Sequence, residues 1–176
     1  MKVLVVVDMQ NDFLDDAVLG NERCRAVVPG IVRKIEAGGY DCIVATRDTH
    51  DENYLNTQEG KNLPVPHCIE GSEGWQIEES IASALAKCTV PVEYVNKPSF
   101  GSMELARLLS EKGADKVELV GVCTGICVIS NAMLVKAGEP EAVVTVDASC
   151  CACVTEESHK TALEAMKLCQ IQIENA

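Results

Sequence analysis

Short apolar runs alternate with helical patterns along the chain, and this alternation constrains the possible folds more than any other feature. Six runs rich in β-branched residues have the character of strands: residues 2–7, 41–46, 92–95, 117–122, 142–146 and 170–173. Five segments have helical periodicity: residues 28–37, 75–85, 102–112, 125–137 and 156–168. Strands that alternate with helices form right-handed crossovers and a parallel sheet covered on both faces. The sequence therefore predicts an α/β fold.

The size and charge of the chain narrow the classes of function. Its 176 residues suit one domain, residues 1–176. The 27 acidic residues outnumber the 15 basic ones and give a formal net charge of −12, which disfavours nucleic acids and anionic membranes as partners. No apolar run approaches the length of a membrane span, about 20 residues, and the N-terminal run lacks the cleavage site of a signal peptide. We therefore expect a cytoplasmic protein.

The chain contains ten cysteines, a large number for its length. In a short secreted protein such a number indicates a disulfide framework, but here the spacing is irregular and no secretion signal is recognisable. Cys150, Cys151 and Cys153 lie close together, yet no second cysteine pair faces them at the spacing of a zinc finger. We expect reduced thiols that serve as small side chains, and the role of these three stays open.

Residues 117–128 combine an apolar strand, a turn and the start of a helix. Cys127 falls in the first turn of that helix, where unpaired backbone amides and the positive end of the helix dipole favour a thiolate. The same amides suit the oxyanion of a tetrahedral intermediate. Free cysteines are also common as inert core residues, so position alone does not distinguish a nucleophile from a packing residue.

Polar residues after two other strands favour the nucleophile. Asp8 follows the first strand and Lys97 follows the third, and the carboxyl ends of parallel strands line one crevice. A carboxylate beside the thiol can take its proton and return it to a leaving amine, and a nearby ammonium favours the thiolate. His159 lies inside a predicted helix, so a cysteine–histidine pair is poorly supported. We therefore predict that Asp8, Lys97 and Cys127 act together.

The longest region without a predicted element, residues 47–74, carries side chains of the kinds that bind metals. An extended segment places Asp48 and His50 on one side, and Glu59 and His67 follow downstream. Carboxylates and imidazoles suit a divalent cation such as zinc, iron or manganese. The alternative is that the two histidines only bond the backbone of a loop.

Five motifs stand in order along essentially the whole chain: DMQNDF at residues 8–13, RDTH at 47–50, PHCIEGS at 66–72, KPSF at 97–100 and GVCTGICV at 121–128. Together they resemble the isochorismatase-like cysteine hydrolases, and within that superfamily the nicotinamidase/pyrazinamidase branch. The resemblance implies a three-layer α/β/α fold of the Rossmann type with a six-stranded, mostly parallel sheet. It also implies a homo-oligomer, either a dimer or a tetramer.

The resemblance implies roles for the residues of the crevice. It implies a catalytic triad of Asp8, Lys97 and Cys127. It also implies a cis peptide bond between Val122 and Cys123, which would aim the backbone amides of Cys123 and Cys127 at one oxyanion.

The resemblance also implies the ligands of a divalent metal, most readily zinc, with iron or manganese as alternatives. They are Asp48, His50 and His67, with Glu59 or water as the fourth ligand. Residues 63–66 lack the aromatic side chain that many nicotinamidases place there. The pyridine ring of the substrate is therefore expected to rest on Phe13 and Phe100.

From these residues we predict an amidohydrolase acting on linear amides. Its expected reaction, a step of NAD metabolism, converts nicotinamide to nicotinate and ammonia through a cysteine thioester. The alternatives are a related hydrolase with a different small substrate, a binding module on an inactive scaffold, or a thiol redox protein in which Cys123 and Cys127 form a disulfide.

Overall fold

The computed structural model describes residues 1–176 and contains a six-stranded sheet in which all neighbouring strands are parallel. Its strands are β1 (Lys2–Val7), β2 (Cys42–Asp48), β3 (Val92–Lys97), β4 (Lys116–Val122), β5 (Val143–Ala152) and β6 (Gln172–Glu174). The strand order is β3-β2-β1-β4-β5-β6. The direction of winding reverses between β1 and β4, so the crevice at their carboxyl ends is the expected place for a ligand.

Seven α-helices and three short helical turns complete the chain. The helices are α1 (Glu22–Ala26), α2 (Val28–Ala37), α3 (Gln58–Asn62), α4 (Glu79–Ala86), α5 (Met103–Glu111), α6 (Ile129–Gly138) and α7 (Glu156–Leu168). Turns of 3-10 helix lie at Asn11–Phe13 and Tyr54–Asn56, and a π-helical turn lies at Thr124–Val128. No helix combines the length and apolar character needed to cross a bilayer.

Two hydrophobic clusters lie on opposite faces of the sheet, because successive side chains of a strand point to opposite faces. Val3 and Val5 of β1 pack with residues of α5, α6 and α7, including Leu109. Leu4 of β1 packs with residues of α2 and α4, including Ile31. This arrangement confirms the predicted three-layer fold.

Two helices begin later than the sequence predicts. The helix predicted from residue 75 starts at Glu79, because the side chain of Glu78 caps its first amides and Ile77 instead pairs with Gln10. The helix predicted from residue 125 starts at Ile129, after the π-helical turn.

Three strands extend by two or more residues beyond their predicted ends. β2 continues to Asp48, β3 to Lys97 and β5 to Ala152, whereas the predicted strands stop at residues 46, 95 and 146. Each extension begins with a polar residue, which is typical of a loop. In the structure, pairing continues instead, since Lys97 lies opposite Asp48 and Cys151 lies opposite Gly121.

Gly121, near the end of β4, has a positive φ of 121°. A Cβ atom at this position would lie 2.1 Å from the carbonyl oxygen of Val7 in β1. Only glycine permits both this conformation and this approach of the two backbones. The segments that follow β1 and β4 therefore start close together.

Candidate active site

The carboxyl ends of four adjacent strands bring together the four polar residues predicted for the crevice. Asp8 follows β1, Asp48 ends β2, Lys97 ends β3, and Cys127 lies in the π-helical turn after β4. All four are buried, and Asp8 and Lys97 have no exposed surface. Lysine is rarely buried without a charged partner, so its neighbours define the electrostatics of this crevice.

Lys97 stands at the centre of the group. Its Nζ lies 2.6 Å from Asp8 Oδ2 and 3.3 Å from Asp48 Oδ1. It also donates to the Ser99 carbonyl at 3.1 Å and lies 3.6 Å from Cys127 Sγ. These contacts place the three predicted triad residues within reach of one another.

Each carboxylate oxygen of Asp8 has one partner. Its Oδ1 accepts a hydrogen bond of 2.6 Å from the Thr46 hydroxyl. Its Oδ2 lies against the ammonium of Lys97, which also contacts Asp48 and the Cys127 sulfur. Burial raises the pKa of Asp8, and the charge of Asp48 raises it further against the opposing effect of Lys97. Asp8 is therefore suited to receive a proton.

Cys127 differs from the expectation that its position favours a thiolate. Burial raises the pKa of its thiol well above the ordinary value, and the carboxylate of Asp8 raises it as well, while Lys97 lowers it. The sequence prediction was wrong in sign because Cys127 lies deep in the crevice, in the turn before α6, where desolvation outweighs the nearby ammonium. Cys127 is thus a thiol that must transfer its proton when its sulfur attacks.

The loop after β4 is held by contacts along its length. The peptide bond between Val122 and Cys123 is cis, as the resemblance implies. The Cys123 carbonyl accepts hydrogen bonds from the amides of Ile126 and Val128, at 3.0 and 3.1 Å. We call residues 122–128 the nucleophile loop.

Two residues that the sequence analysis did not place at the site also support this loop. Asn131, buried in α6, donates to the Cys127 carbonyl at 2.8 Å and accepts from the Ser102 amide at 2.9 Å. The Nδ1 atom of His159 lies 2.8 Å from the Thr124 hydroxyl. The only available signal for Asn131 was a polar residue inside an apolar helix.

Asp48, His50, Glu59 and His67 bring one possible ligand atom each within 4.8 Å of one another. Asp48 Oδ2 lies 3.1 Å from His50 Nε2 and 3.3 Å from His67 Nε2. Glu59 Oε1 lies 3.7 Å from both of these nitrogens. We call these residues the metal-ligand group.

The chemistry of this group fits a divalent cation. The His67 Nδ1 atom lies 2.8 Å from the Val65 carbonyl, which fixes its proton there and leaves Nε2 free to act as a ligand. Although burial raises the pKa of Asp48, hydrogen bonds with His50 and His67 hold it well below its usual range. Two carboxylates and two imidazoles facing one point form a donor set suited to zinc, iron or manganese.

Tyr54 is a part of this region that the sequence analysis missed. It is almost fully buried, and its ring centroid lies 4.7 Å from that of His50 and 5.0 Å from that of His67. Its hydroxyl donates to the Leu63 carbonyl at 2.9 Å. Tyr54 therefore fixes both imidazoles in place.

Gln10 connects the metal-ligand group to the end of β1. It is fully buried, donates to the Asp48 carbonyl at 2.8 Å and accepts from the Asp48 amide at 2.7 Å. It also donates to the Trp75 carbonyl at 2.9 Å. Gln10 thereby sets the position of Asp48 relative to Asp8.

The two phenylalanines expected to contact the substrate ring are placed differently. Phe13 is buried, with its ring centroid 5.9 Å from that of His67. Phe100 is 42% exposed, and its ring makes no aromatic contact with the metal-ligand group. The structure thus brings Phe13, but not Phe100, against the metal-ligand group.

Comparisons with known proteins agree with this geometry. A family profile described as an isochorismatase domain matches residues 2–175. The chain is 28% identical to the nicotinamidase/pyrazinamidase of Mycobacterium tuberculosis, with 98% of each chain covered. It is 26% identical to the nicotinamidase of Schizosaccharomyces pombe, with 74% of each covered.

Solved structures show the same fold. The nicotinamidase/pyrazinamidase of Bacillus subtilis superposes with a TM-score of 0.86 at 25% identity, over 99% of this chain and 100% of that chain. The pyrazinamidase of Pyrococcus horikoshii, solved in complex with zinc, gives a TM-score of 0.77 at 26% identity, over 98% and 97% of the two chains.

Proposed function

Because the chain belongs to the isochorismatase family, we propose that residues 1–176 form one cysteine hydrolase domain that converts nicotinamide to nicotinate and ammonia. The observation that carries this proposal is the buried Asp8 carboxylate paired with Lys97, whose ammonium also contacts the Cys127 sulfur. The nicotinamidase relatives support the choice of substrate.

Asp8 and Cys127 carry out the first half of the reaction. The Cys127 sulfur attacks the carboxamide carbon as its proton passes to Asp8, and Lys97 stabilises the charges of this pair. The backbone amides of Cys123 and Cys127 stabilise the oxyanion. Asp8 then gives the proton to the leaving nitrogen, so that ammonia departs and a thioester remains on Cys127.

Asp8 also serves the second half. It takes a proton from a water molecule that attacks the thioester carbon, and the carbon–sulfur bond breaks to release nicotinate. The proton returns from Asp8 to the Cys127 sulfur. The nearly complete burial of the crevice keeps other water molecules away from the thioester.

Asp48, His50, Glu59 and His67 would hold a divalent cation, which we propose to be zinc. When bound there, such a cation supplies a Lewis acid for the pyridine nitrogen of the substrate and for ordering water. Phe13 packs against this group and provides an apolar surface for the ring. Phe100 remains a candidate second contact. A cytoplasmic location and a homo-oligomer stay predictions from the sequence.

Ammonia release from a set of amides tests the proposal. Protein of measured metal content is assayed with nicotinamide, pyrazinamide, benzamide and an aliphatic amide. We expect turnover of the two ring-nitrogen substrates and poor turnover of benzamide, which has the same shape without the nitrogen. Equal rates with benzamide would contradict the role of the ring nitrogen, and no ammonia from any amide would overturn the proposed function.

Metal removal provides a second test. We expect about one divalent ion per chain by elemental analysis, lost on chelation together with amidase activity. The chelated protein should stay folded by circular dichroism, because the two hydrophobic clusters do not depend on the metal-ligand group. Full activity in verified metal-free protein would remove the cation from the reaction.

A further inference from the structure

The thiol of Cys123, in the nucleophile loop, meets a second thiol, that of Cys153 after β5. The register of β4 and β5 pairs Gly121 with Cys151 and Val122 with Ala152. Cys123 and Cys153 follow this last pair, and their thiols are close enough to interact. Neighbouring strands are spaced about 5 Å apart, which lies within the Cα separation that a disulfide spans.

The surroundings of Cys153 support a reactive sulfur. A hydrogen bond with Cys123 lowers the pKa of Cys153 to about 5, with further donation from Ser158 and from the amides of Gly125 and Val154. Its sulfur would lie 3.4 Å from a Cβ atom at Gly125, so it is in contact with the nucleophile loop. Lowered thiol pKa and a neighbouring thiol are the two properties that redox-sensitive cysteines combine.

A small oxidant can approach Cys153 from the protein surface. The side chain is buried, but it lines a groove of about 640 Å³ between the nucleophile loop and α7. Ile126, Val154 and Ser158 also line this groove. Neither Lys97 nor Cys127 lines this groove.

We propose that Cys123 and Cys153 form a reversible disulfide when the protein meets hydrogen peroxide. The Cys153 thiolate attacks one peroxide oxygen, the oxygen–oxygen bond breaks, and the products are a sulfenic acid and, after protonation, water. Cys123 then loses its proton, and its sulfur attacks the Cys153 sulfur and releases a second water. Two thiols are oxidised by two electrons, and one peroxide is reduced to two waters.

The disulfide would act on the nucleophile loop. The Cys123 carbonyl holds the amides of Ile126 and Val128, which flank Cys127. A covalent link to Cys153 draws this residue toward β5 and moves the loop relative to Asp8 and Lys97. The effect on ammonia release rests on the proposed function, whereas the formation of the disulfide does not.

Cys24 is the competing partner. It also interacts with the Cys123 thiol, and this interaction lowers the pKa of Cys24. Cys24, in α1, is fully buried in the hydrophobic cluster that includes Leu4 and Ile31, and it does not line the groove. Because peroxide reaches Cys153 through the groove, the geometry favours Cys153 over Cys24.

Mass spectrometry tests the disulfide directly. The Cys127→Ala protein, which cannot oxidise at the nucleophile, is treated with equimolar peroxide, alkylated and digested. We expect loss of two thiols and a cross-linked peptide pair containing Cys123 and Cys153. Cys153→Ser in this background should abolish the link, whereas the matched control Cys150→Ala, three residues earlier, should keep it.

Other outcomes of this experiment overturn the assignment. A link between Cys123 and Cys24 would contradict it, as would a link that persists in Cys153→Ser. Nine unmodified thiols after treatment, the full number in the Cys127→Ala protein, would also contradict it. Circular dichroism confirms that each variant is folded before oxidation.

Ammonia release from wild-type protein provides the functional readout. We expect oxidation to lower it about 10- to 100-fold, the size of effect that small misplacements of reacting groups produce, with recovery in dithiothreitol. Cys153→Ser should keep its rate at the same peroxide dose. A disulfide in protein that never releases ammonia would leave this inference standing and overturn the proposed function. Ammonia release from a protein that forms no disulfide would support the proposed function and overturn the disulfide. A disulfide that leaves the rate of ammonia release unchanged would overturn only the proposed effect on the nucleophile loop.

Discussion

The protein contains two buried clusters of one lysine and two carboxylates, and they are built differently. Lys97 with Asp8 and Asp48 lies at the carboxyl ends of the strands. Lys34 of α2 contacts Glu118 of β4 and Asp147 of β5, nearer the opposite end of the sheet. The combination of one lysine and two carboxylates therefore occurs twice, once in the crevice and once beneath α2.

In the cluster beneath α2, each carboxylate oxygen has a partner. Glu118 contacts Lys34 through one oxygen and accepts from the Tyr40 hydroxyl at 2.9 Å through the other. Asp147 lies 2.5 Å from Lys34 Nζ through one oxygen and accepts from Ser149 through the other. This cluster is electrostatically complete.

In the crevice, Asp8 is also partnered at both oxygens, by Thr46 and Lys97, but this lysine is shared with Asp48 and contacts the Cys127 sulfur. The pKa values respond in opposite directions, since burial raises the pKa of Asp8 while the hydrogen bond with Lys34 lowers that of Asp147 against the effect of burial. The same kinds of charge therefore keep a carboxylate ionised in the cluster beneath α2, and they leave a carboxylate with a raised pKa, suited to accept a proton, in the crevice.

The largest expected effect comes from removing the Cys127 thiol, whose proton Asp8 accepts. Cys127→Ala should reduce ammonia release below detection, because no thioester forms. Cys123→Ala, the control, should keep much of the rate, since Cys123 contributes its backbone amide. Equal loss in both variants would favour a redox role for these cysteines, and near-normal release by Cys127→Ala would contradict the nucleophile assignment.

Matched amide substitutions in the two clusters compare them directly. Asp8→Asn keeps the shape of the side chain but cannot take a proton, so kcat/KM should fall about 10²- to 10⁴-fold with little change in stability. Asp147→Asn should leave kcat/KM nearly unchanged and lower the midpoint of urea unfolding. If both substitutions affected only stability, the distinction between the clusters would be lost.

The pH dependence of stability should follow the cluster beneath α2. The pKa of Asp147 is lowered from an ordinary value of 3.8 in the folded protein. Its contribution to stability is therefore present above about pH 4 and is lost as the pH falls through the lower folded value. Urea unfolding of metal-free protein between pH 6 and 2 should show a steeper loss for wild type than for Asp147→Asn. Parallel curves would mean that Lys34 does not stabilise the charged form.

The smallest effects are expected from substitutions of two tyrosines, Tyr54 at the crevice and Tyr40 beneath α2. Tyr54→Phe keeps the ring against His50 and His67 but loses the hydrogen bond to Leu63, worth about 0.5–1.5 kcal/mol. Ammonia release and metal retention against a chelator should weaken by less than about tenfold. Tyr40→Phe should leave both unchanged, and the same loss in both variants would point to a general effect on stability.

The core of the fold was predictable because apolar, β-branched strands carry a strong local signal. Residues 2–7 were predicted with the bounds that β1 has. The polar ends of β3 and β5 were not, since Lys97 and Cys151 join the sheet only through pairing with neighbouring strands. Local sequence does not contain that pairing.

The candidate site was likewise predictable where the signal is local in the sequence and not where it depends on tertiary structure. Asp8, Lys97 and Cys127 were predicted to lie together because each follows a strand, and the structure brings them into contact. The direction of the Cys127 pKa was predicted wrongly, because it depends on the depth of burial. Gln10 was missed because its partners Asp48 and Trp75 are distant in the sequence. Tyr54 was missed because it lies in a short 3-10 turn within a region without a predicted element.

The tight approach of β1 and β4 at Gly121 has a consequence for how this protein can vary. Any side chain there meets the Val7 backbone, so folding alone eliminates substitutions before their effect on the reaction is ever exposed to selection. A library randomised at codon 121 and sorted only for folded protein, with no substrate present, should return glycine. A protease-resistance screen is enough to observe this. Invariance at this position would then measure backbone clearance rather than catalytic importance.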